Sequence, residues 1–162
     1  MNWKAKFLTI LSTFIAKLII YKYHPLVIAI TGNVGKSSTK EAVAFVVSQK
    51  YSVRKNELNY NTEIGAALTI IGVEQSGSSS IWVWLNHLWT GVKLLIHRQK
   101  NYPQALILEY GADRPGDIKK LCRIARPDIA IVTNVGNIPV HIEYFEDIDK
   151  VYDEKSTIIK ML

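Results

Sequence analysis

The stretch LVIAITGNVGKSSTKEAVAFVV, residues 26–47, constrains the fold more than any other part of the chain. Its first six residues are an unbroken apolar, largely β-branched run. Such a run suits a central strand covered on both faces, and therefore a parallel sheet. A turn bearing two glycines follows, Gly32-Asn33-Val34-Gly35-Lys36-Ser37, and an amphipathic segment leaves it. Strand, glycine turn and helix in that order form a phosphate-binding loop. Glycines let the backbone curl until several N–H groups converge on an anion, and the helix adds its positive N-terminal end. Lys36 would supply a mobile charge for the β- and γ-phosphates, and Ser37 a hard oxygen ligand for Mg²⁺. A plain glycine turn with a surface lysine is the weaker reading, because a buried strand and a helix flank the motif directly. The common spacing, G-x-x-x-x-G-K-S/T, asks for glycine at position 30, where this chain has Ile30.

The rest of the chain alternates between strand-like and helix-like pieces. Residues 36–49 read as a helix and YSVRK as a short strand. NELNYNTEIGAALTIIG reads as a loop running into a short helix, and residues 74–80, EQSGSSS, as a flexible turn. ALILEY and DIAIVTNV are buried strands. A helix opens between them near Pro115, and NIPVHIEYFED is a loop before a final helix. Strand–helix alternation of this kind implies an α/β fold: a P-loop-type parallel sheet flanked by helices with right-handed crossovers. At 162 residues the chain suffices for one domain with a real core. The single cysteine, Cys122, excludes an internal disulfide and reads as a buried structural thiol on a helix.

Two segments stand apart from this alternation. Residues 1–25 contain lysines at 4, 6, 17 and 22, no acidic residue, and an apolar run broken by Lys17. That run is short for a membrane span, and no small-residue cleavage site follows it. Two readings fit: an amphipathic helix on an anionic membrane surface, which is favoured, or a helix packed on the domain. Residues 81–100 form a second helical stretch with Trp82, Trp84 and Trp89, closed by Lys93, His97, Arg98 and Lys100. It reads equally as a cover for the sheet or as a second interfacial helix. Charge supports the first segment's distinctness. Residues 1–60 carry nine Lys/Arg against two acidic residues, whereas residues 61–162 carry eleven against twelve. The chain has no aromatic-interleaved basic run, zinc spacing or basic recognition helix, so a nucleic-acid partner is not expected.

The displaced glycine becomes informative beside four sequence blocks. TGNVGKSSTKE resembles the T-G-S/T-x-G-K-S/T-S/T loop of the Mur ligase family, whose first glycine stands where Gly32 does. NYNTEIGAALTIIG resembles the family's N-N-E-I-G segment. LILEYGADRPGDIKKLCRIARPDIAIVTNVG and VHIEYFEDIDKVYDEKSTII resemble two later family blocks, in the same order. The resemblance covers about residues 26 to 162. It implies a central ATP-binding domain of enzymes that join amino acids or peptides to a UDP-linked muramoyl peptide in peptidoglycan synthesis. It also implies ATP and Mg²⁺ as cofactors, a cytoplasmic setting, and phosphoryl transfer to a substrate carboxylate before an amine forms the amide.

Carried over position by position, the resemblance assigns the phosphates to Lys36 and the loop Gly32, Asn33, Val34, Gly35, Ser37 and Ser38. Ser37 and Glu109 would bind the first Mg²⁺, and His141 the second. Lys155 matches a lysine that the family carries as a metal-binding carbamate, and Asn61 an asparagine near the adenine. His24, His87 and His97 match nothing and read as surface or packing residues. The chain also departs from the family. Residues 1–25 stand where a precursor-binding domain is expected, residues 81–100 read as an insertion, and nothing corresponding to the later parts follows Leu162. The alternative expectation is thus a nucleotide-binding module without ligase turnover, held at the inner face of a membrane.

Overall fold

A computed structural model describes residues 3–57, 60–74, 80–135, 145 and 147–162. Helix α1 (Trp3–Tyr23) precedes strand β1 (Leu26–Thr31), helix α2 (Lys36–Ser48) and strand β2 (Val53–Lys55). Helices α3 (Glu63–Ile71) and α4 (Ile81–Ile96) lead to strand β3 (Ala105–Glu109). Helix α5 (Asp117–Ile124), strand β4 (Ile129–Val132) and helix α6 (Ile148–Lys160) complete the order.

The four strands form one parallel sheet in the order β2-β3-β1-β4. β1 and β3 are central and almost wholly buried, as their continuous apolar runs require. Alternate residues serve opposite faces. Ile28, Ile30 and Ile107 pack with Ala44 and Val43 of α2, whereas Val27, Ala29, Leu106 and Leu108 join the larger core with α3 and α5. β1 therefore has the chain's later strands on both sides, β3 on one and β4 on the other. Such a reversal of strand order opens a crevice at the strands' C-terminal ends, where open α/β sheets bind their ligands.

Helix α3 explains why α1 belongs to the fold. Every residue of α3 from Gly65 to Ile71 is buried, and a helix apolar all round needs cover on all sides. The sheet supplies one side, while α1 and α4 supply others through Ile15, Ala16, Ile19 and Leu94. Lys22 Nζ fixes the arrangement by donating to the carbonyls of Leu94 and Leu95, at 3.1 and 2.7 Å. The C-terminal end of α3 is closed by Arg54, whose guanidinium donates to the carbonyls of Thr69 and Ile70. Of the two readings of residues 1–25, packing on the domain is therefore realised for one face of the helix. The other face leaves Phe7, Ile10 and Phe14 exposed. Cys122 is buried on α5, as expected, and burial pushes its thiol up to about 11.

Candidate functional site

The glycine turn lies between β1 and α2, at the C-terminal edge of the sheet. Gly32 adopts φ 140° against Thr133, where a Cβ would fall 2.0 Å from the Thr133 hydroxyl. Gly35 adopts φ 85° as the N-cap of α2 and has no side chain to cap it. Both positions therefore need glycine for conformation, and the first also for space. The turn is tied to the segment after β4. The N–H groups of Asn33 and Val34 donate to the Asn134 carbonyl at 3.0 and 3.1 Å, and the Asn33 amide donates to the Val135 carbonyl. This divides the loop residues singled out from the sequence. Asn33 and Val34 build the loop's shape, while the N–H groups of Lys36, Ser37 and Ser38 open α2 without intrahelical acceptors. These helix-opening groups are the ones that suit an anion.

Lys36 curls back over the turn, its Nζ donating to the Asn33 carbonyl at 3.2 Å. Ser37 Oγ donates to Glu109 Oε2 at 2.9 Å, joining the helix start to the end of β3. Glu109 is buried although it ends a strand at the sheet's C-terminal edge. A hydroxyl and a buried carboxylate in contact form a hard-oxygen pair of the type that suits a small divalent cation.

Glu109 is held in place by a residue that the sequence reading did not single out. Asn56, fully buried, accepts from the Glu109 N–H through Oδ1 at 2.8 Å and donates from Nδ2 to the Tyr60 carbonyl at 2.9 Å. Lys40, also buried, donates to the Asn56 carbonyl at 2.7 Å. Its only sequence signal was position: Lys40 lies one helical turn after Lys36, on the face of α2 turned to the sheet.

From the other side α6 brings Lys155 to the site. The side chain is buried, and Nζ donates to the Ala112 carbonyl at 3.4 Å. Burial, followed by the positive charge of Lys36, lowers its pKa to about 8. Lys155 is thus not an exposed helix lysine. Its neighbour Glu154 instead accepts from the N–H groups of Gly116 and Ile118, both at 2.8 Å, and caps α5. Asn61 lies beside Gly111, its backbone carbonyl accepting from the Gly111 N–H at 2.9 Å. It lines a cavity of about 480 Å³ with Glu63, Asp113 and Arg114. His141 lies outside the described residues. His24 and His97 are exposed and His87 is buried in α4, in keeping with surface and packing roles.

The fold and this site can be set beside known proteins. Residues 85–162 match the family model of the Mur ligase middle domain. UDP-N-acetylmuramoyl-tripeptide–D-alanyl-D-alanine ligase of Borreliella burgdorferi is 30% identical over 132 residues, covering 82% of this chain. The chain belongs to the Mur ligase family. The ligase of the same name from Bacillus subtilis is 28% identical over 122 residues, 75% of this chain. Among solved structures, MurF ligase from Thermotoga maritima in complex with ADP superposes with a TM-score of 0.69 at 31% identity. It covers 95% of this chain and 29% of its own. The chain spans only 22% and 21% of the two curated relatives' lengths. The expected α/β architecture of a Mur ligase central domain, a parallel sheet flanked by helices, is the one observed.

Proposed function

We propose that this chain is the ATP-binding part of a MurF-type carboxylate–amine ligase that extends a UDP-linked muramoyl peptide by an amino acid or dipeptide. The carrying observation is the joining of three elements at the sheet's C-terminal edge: the uncapped start of α2, the Ser37–Glu109 contact, and buried Lys155 within electrostatic reach of Lys36. The ADP complex of the Thermotoga relative supports a nucleotide at this place.

In this reading Lys36 and the N–H groups opening α2 bind the β- and γ-phosphates of ATP. They neutralise charge as the terminal phosphoryl group moves to the substrate carboxylate. Ser37 and Glu109 hold Mg²⁺, and their hard-oxygen contact fits that ion. Bound there, the ion withdraws charge from the phosphate oxygens. Asn56 and Lys40 keep the Glu109 carboxylate at the loop, acting as positioning residues. Lys155, with its pKa near 8, has a substantial neutral fraction at neutral to mildly alkaline pH. Its free amine adds CO₂ to form a carbamate and releases one proton, turning a cation into a carboxylate-like ligand. His141 would be a ligand at the second metal position, and Asn61 would lie near the adenine. The same reading places the chain in the cytoplasm. No helix among the described residues is long and apolar enough to cross a membrane. Peripheral contact through the basic residues 1–25 is proposed at the inner face.

The test is Mg-ATP binding by calorimetry, followed by ATP-dependent acyl-phosphate formation with muramoyl tripeptide substrate. Both are measured on this chain and on a version extended at its C-terminus. Binding by both, lost in Lys36→Ala, is the expected result. Loss of the charge-assisted contacts should weaken affinity tenfold or more, from about 1.5–3 kcal/mol. Absence of ATP binding in both, with no effect of Lys36→Ala, would overturn the nucleotide reading. ATP binding without turnover in either would leave the chain a nucleotide-binding module.

A further inference from the structure

We propose that α1 and α4 together form one docking face for an anionic lipid bilayer, with α4 inserting its exposed tryptophans beside the aromatic row of α1. This rests on the peripheral-membrane reading above and extends it from residues 1–25 to a second helix. On α1, Trp3, Phe7, Ile10, Phe14, Leu18 and Tyr21 recur at helical spacing and are all exposed. The opposite face of the same helix carries Ile15, Ala16 and Ile19 into the core. On α4, Ile81, Trp82, Leu85, Trp89 and Ile96 are exposed, with Trp82 at 76%. His87, Gly91 and Leu94 face inward.

The two rows belong to adjacent helices. A Cβ on Gly91 would fall 2.6 Å from Ile15 Cγ2, and further along Lys22 bonds to the Leu94 and Leu95 carbonyls. Contacts advance in the same direction on both helices, so the helices run side by side in parallel. A single exposed leucine is ordinary, but two neighbouring rows of large apolar side chains mark an interaction surface.

Charge decides the occupant. Neither α1 nor α4 contains an aspartate or glutamate. Exposed Lys6 and Lys17 border the first row, and Lys93, Arg98 and Lys100 border the second. A second copy of the chain would set these basic borders against their own kind. A layer of anionic headgroups complements them, and tryptophan and tyrosine suit the boundary between headgroup and acyl chain. Neither helix crosses the bilayer in this arrangement, since the inner face of each is committed to the core.

The experiment uses the full chain and sedimentation with vesicles of equal parts phosphatidylcholine and phosphatidylglycerol, beside vesicles of phosphatidylcholine alone. Two double variants are compared, Phe7→Ser with Phe14→Ser, and Trp82→Ser with Trp89→Ser. All four residues are exposed, and circular dichroism checks that the fold is kept. The expected result is selective binding to the anionic vesicles, weakened about tenfold or more by either pair. In the unaltered chain, brominated lipids should quench tryptophan fluorescence. If the full chain ignores anionic vesicles, the peripheral reading and this inference fall together. If only the Phe7/Phe14 pair weakens binding, α4 is excluded and the inference falls while the peripheral reading stands. Concentration-dependent dimerisation abolished by the same variants, without vesicle binding, would make a second copy the occupant and also overturn it.

Discussion

Asn56 shows how much of a site can rest on a residue that touches no ligand. Its amide bonds to the backbone at Glu109 and at Tyr60, and its own carbonyl receives Lys40. Asn56→Ala would take these partners from the buried Glu109 N–H and the part-buried Tyr60 carbonyl, costing about 1–3 kcal/mol for the first and less for the second. Urea denaturation should show this loss, and Mg-ATP affinity should fall even though Asn56 contacts neither partner. Asn56→Asp keeps the acceptor to the Glu109 N–H and should restore part of the stability. Lys155 gives a second test. Its pKa of about 8 predicts that a carbamate signal from ¹³C-bicarbonate rises as pH passes through about 8, not 10.5. The lowered value also sets a sign for stability. Between about 8 and 10.5 the unfolded chain holds the extra proton, so this group makes the fold more stable as pH rises through that window. Lys155→Met should flatten that rise. Lys36 and Ser37 were singled out because they stand where a strand's glycine turn opens a helix, and Glu109 through the resemblance to the Mur ligase blocks. Asn56 and Lys40 were not, because a loop asparagine and a helix lysine acquire their roles only when β2, β3 and α2 close around them.

At the level of elements, α3 is the part that the other helices serve. Its unbroken burial means that α1 is structural as well as superficial, which the sequence could not decide. The first helix carries apolar residues on both sides, so periodicity alone did not say which side faces the core. The strands were easier to read. β1 and β3 are continuous apolar runs, and their central places in the sheet follow from that pattern. The α1–α4 contact can be tested where it is tightest. Ile15→Ala should destabilise the chain by about 2–4 kcal/mol through the cavity left against α3 and α4. Gly91→Ala places a Cβ into Ile15 and should cost about 1–3 kcal/mol by forcing the two helices apart. Chemical denaturation measures both. Equal stability of Gly91→Ala and the unaltered chain would mean that the helices are not in the contact described. Deleting residues 1–25 is a poor membrane test for the same reason, since it would uncover α3 and expose core apolar surface to water.

On the scale of the whole molecule, the layers keep the nucleotide edge and the proposed bilayer face apart. Helix α2 covers one face of the sheet, while α3 and α5 cover the other, with α1 and α4 packed over α3. The nucleotide loop opens neither face but the C-terminal edge of the strands. A bilayer against the outer rows of α1 and α4 would therefore meet the molecule away from the Gly32–Ser38 turn. None of the exposed apolar residues on those rows contributes to the Ser37–Glu109 contact or the Lys155 site. Among the described residues the two sites meet only where Thr9 of α1 lines the cavity beside Asn61, so they should show little coupling free energy, and any coupling must be reciprocal. A fluorescent ATP analogue titrated into the chain should give the same affinity, within about twofold, with and without saturating anionic vesicles. Vesicle binding should be equally indifferent to Mg-ATP. A change of tenfold or more in either titration, about 1.4 kcal/mol, would mean that α1 and the nucleotide edge move together. The route for such coupling would be the cavity where Thr9 of α1 meets Asn61, Gly111 and Arg114, and Thr9→Ala would be the variant to reduce it.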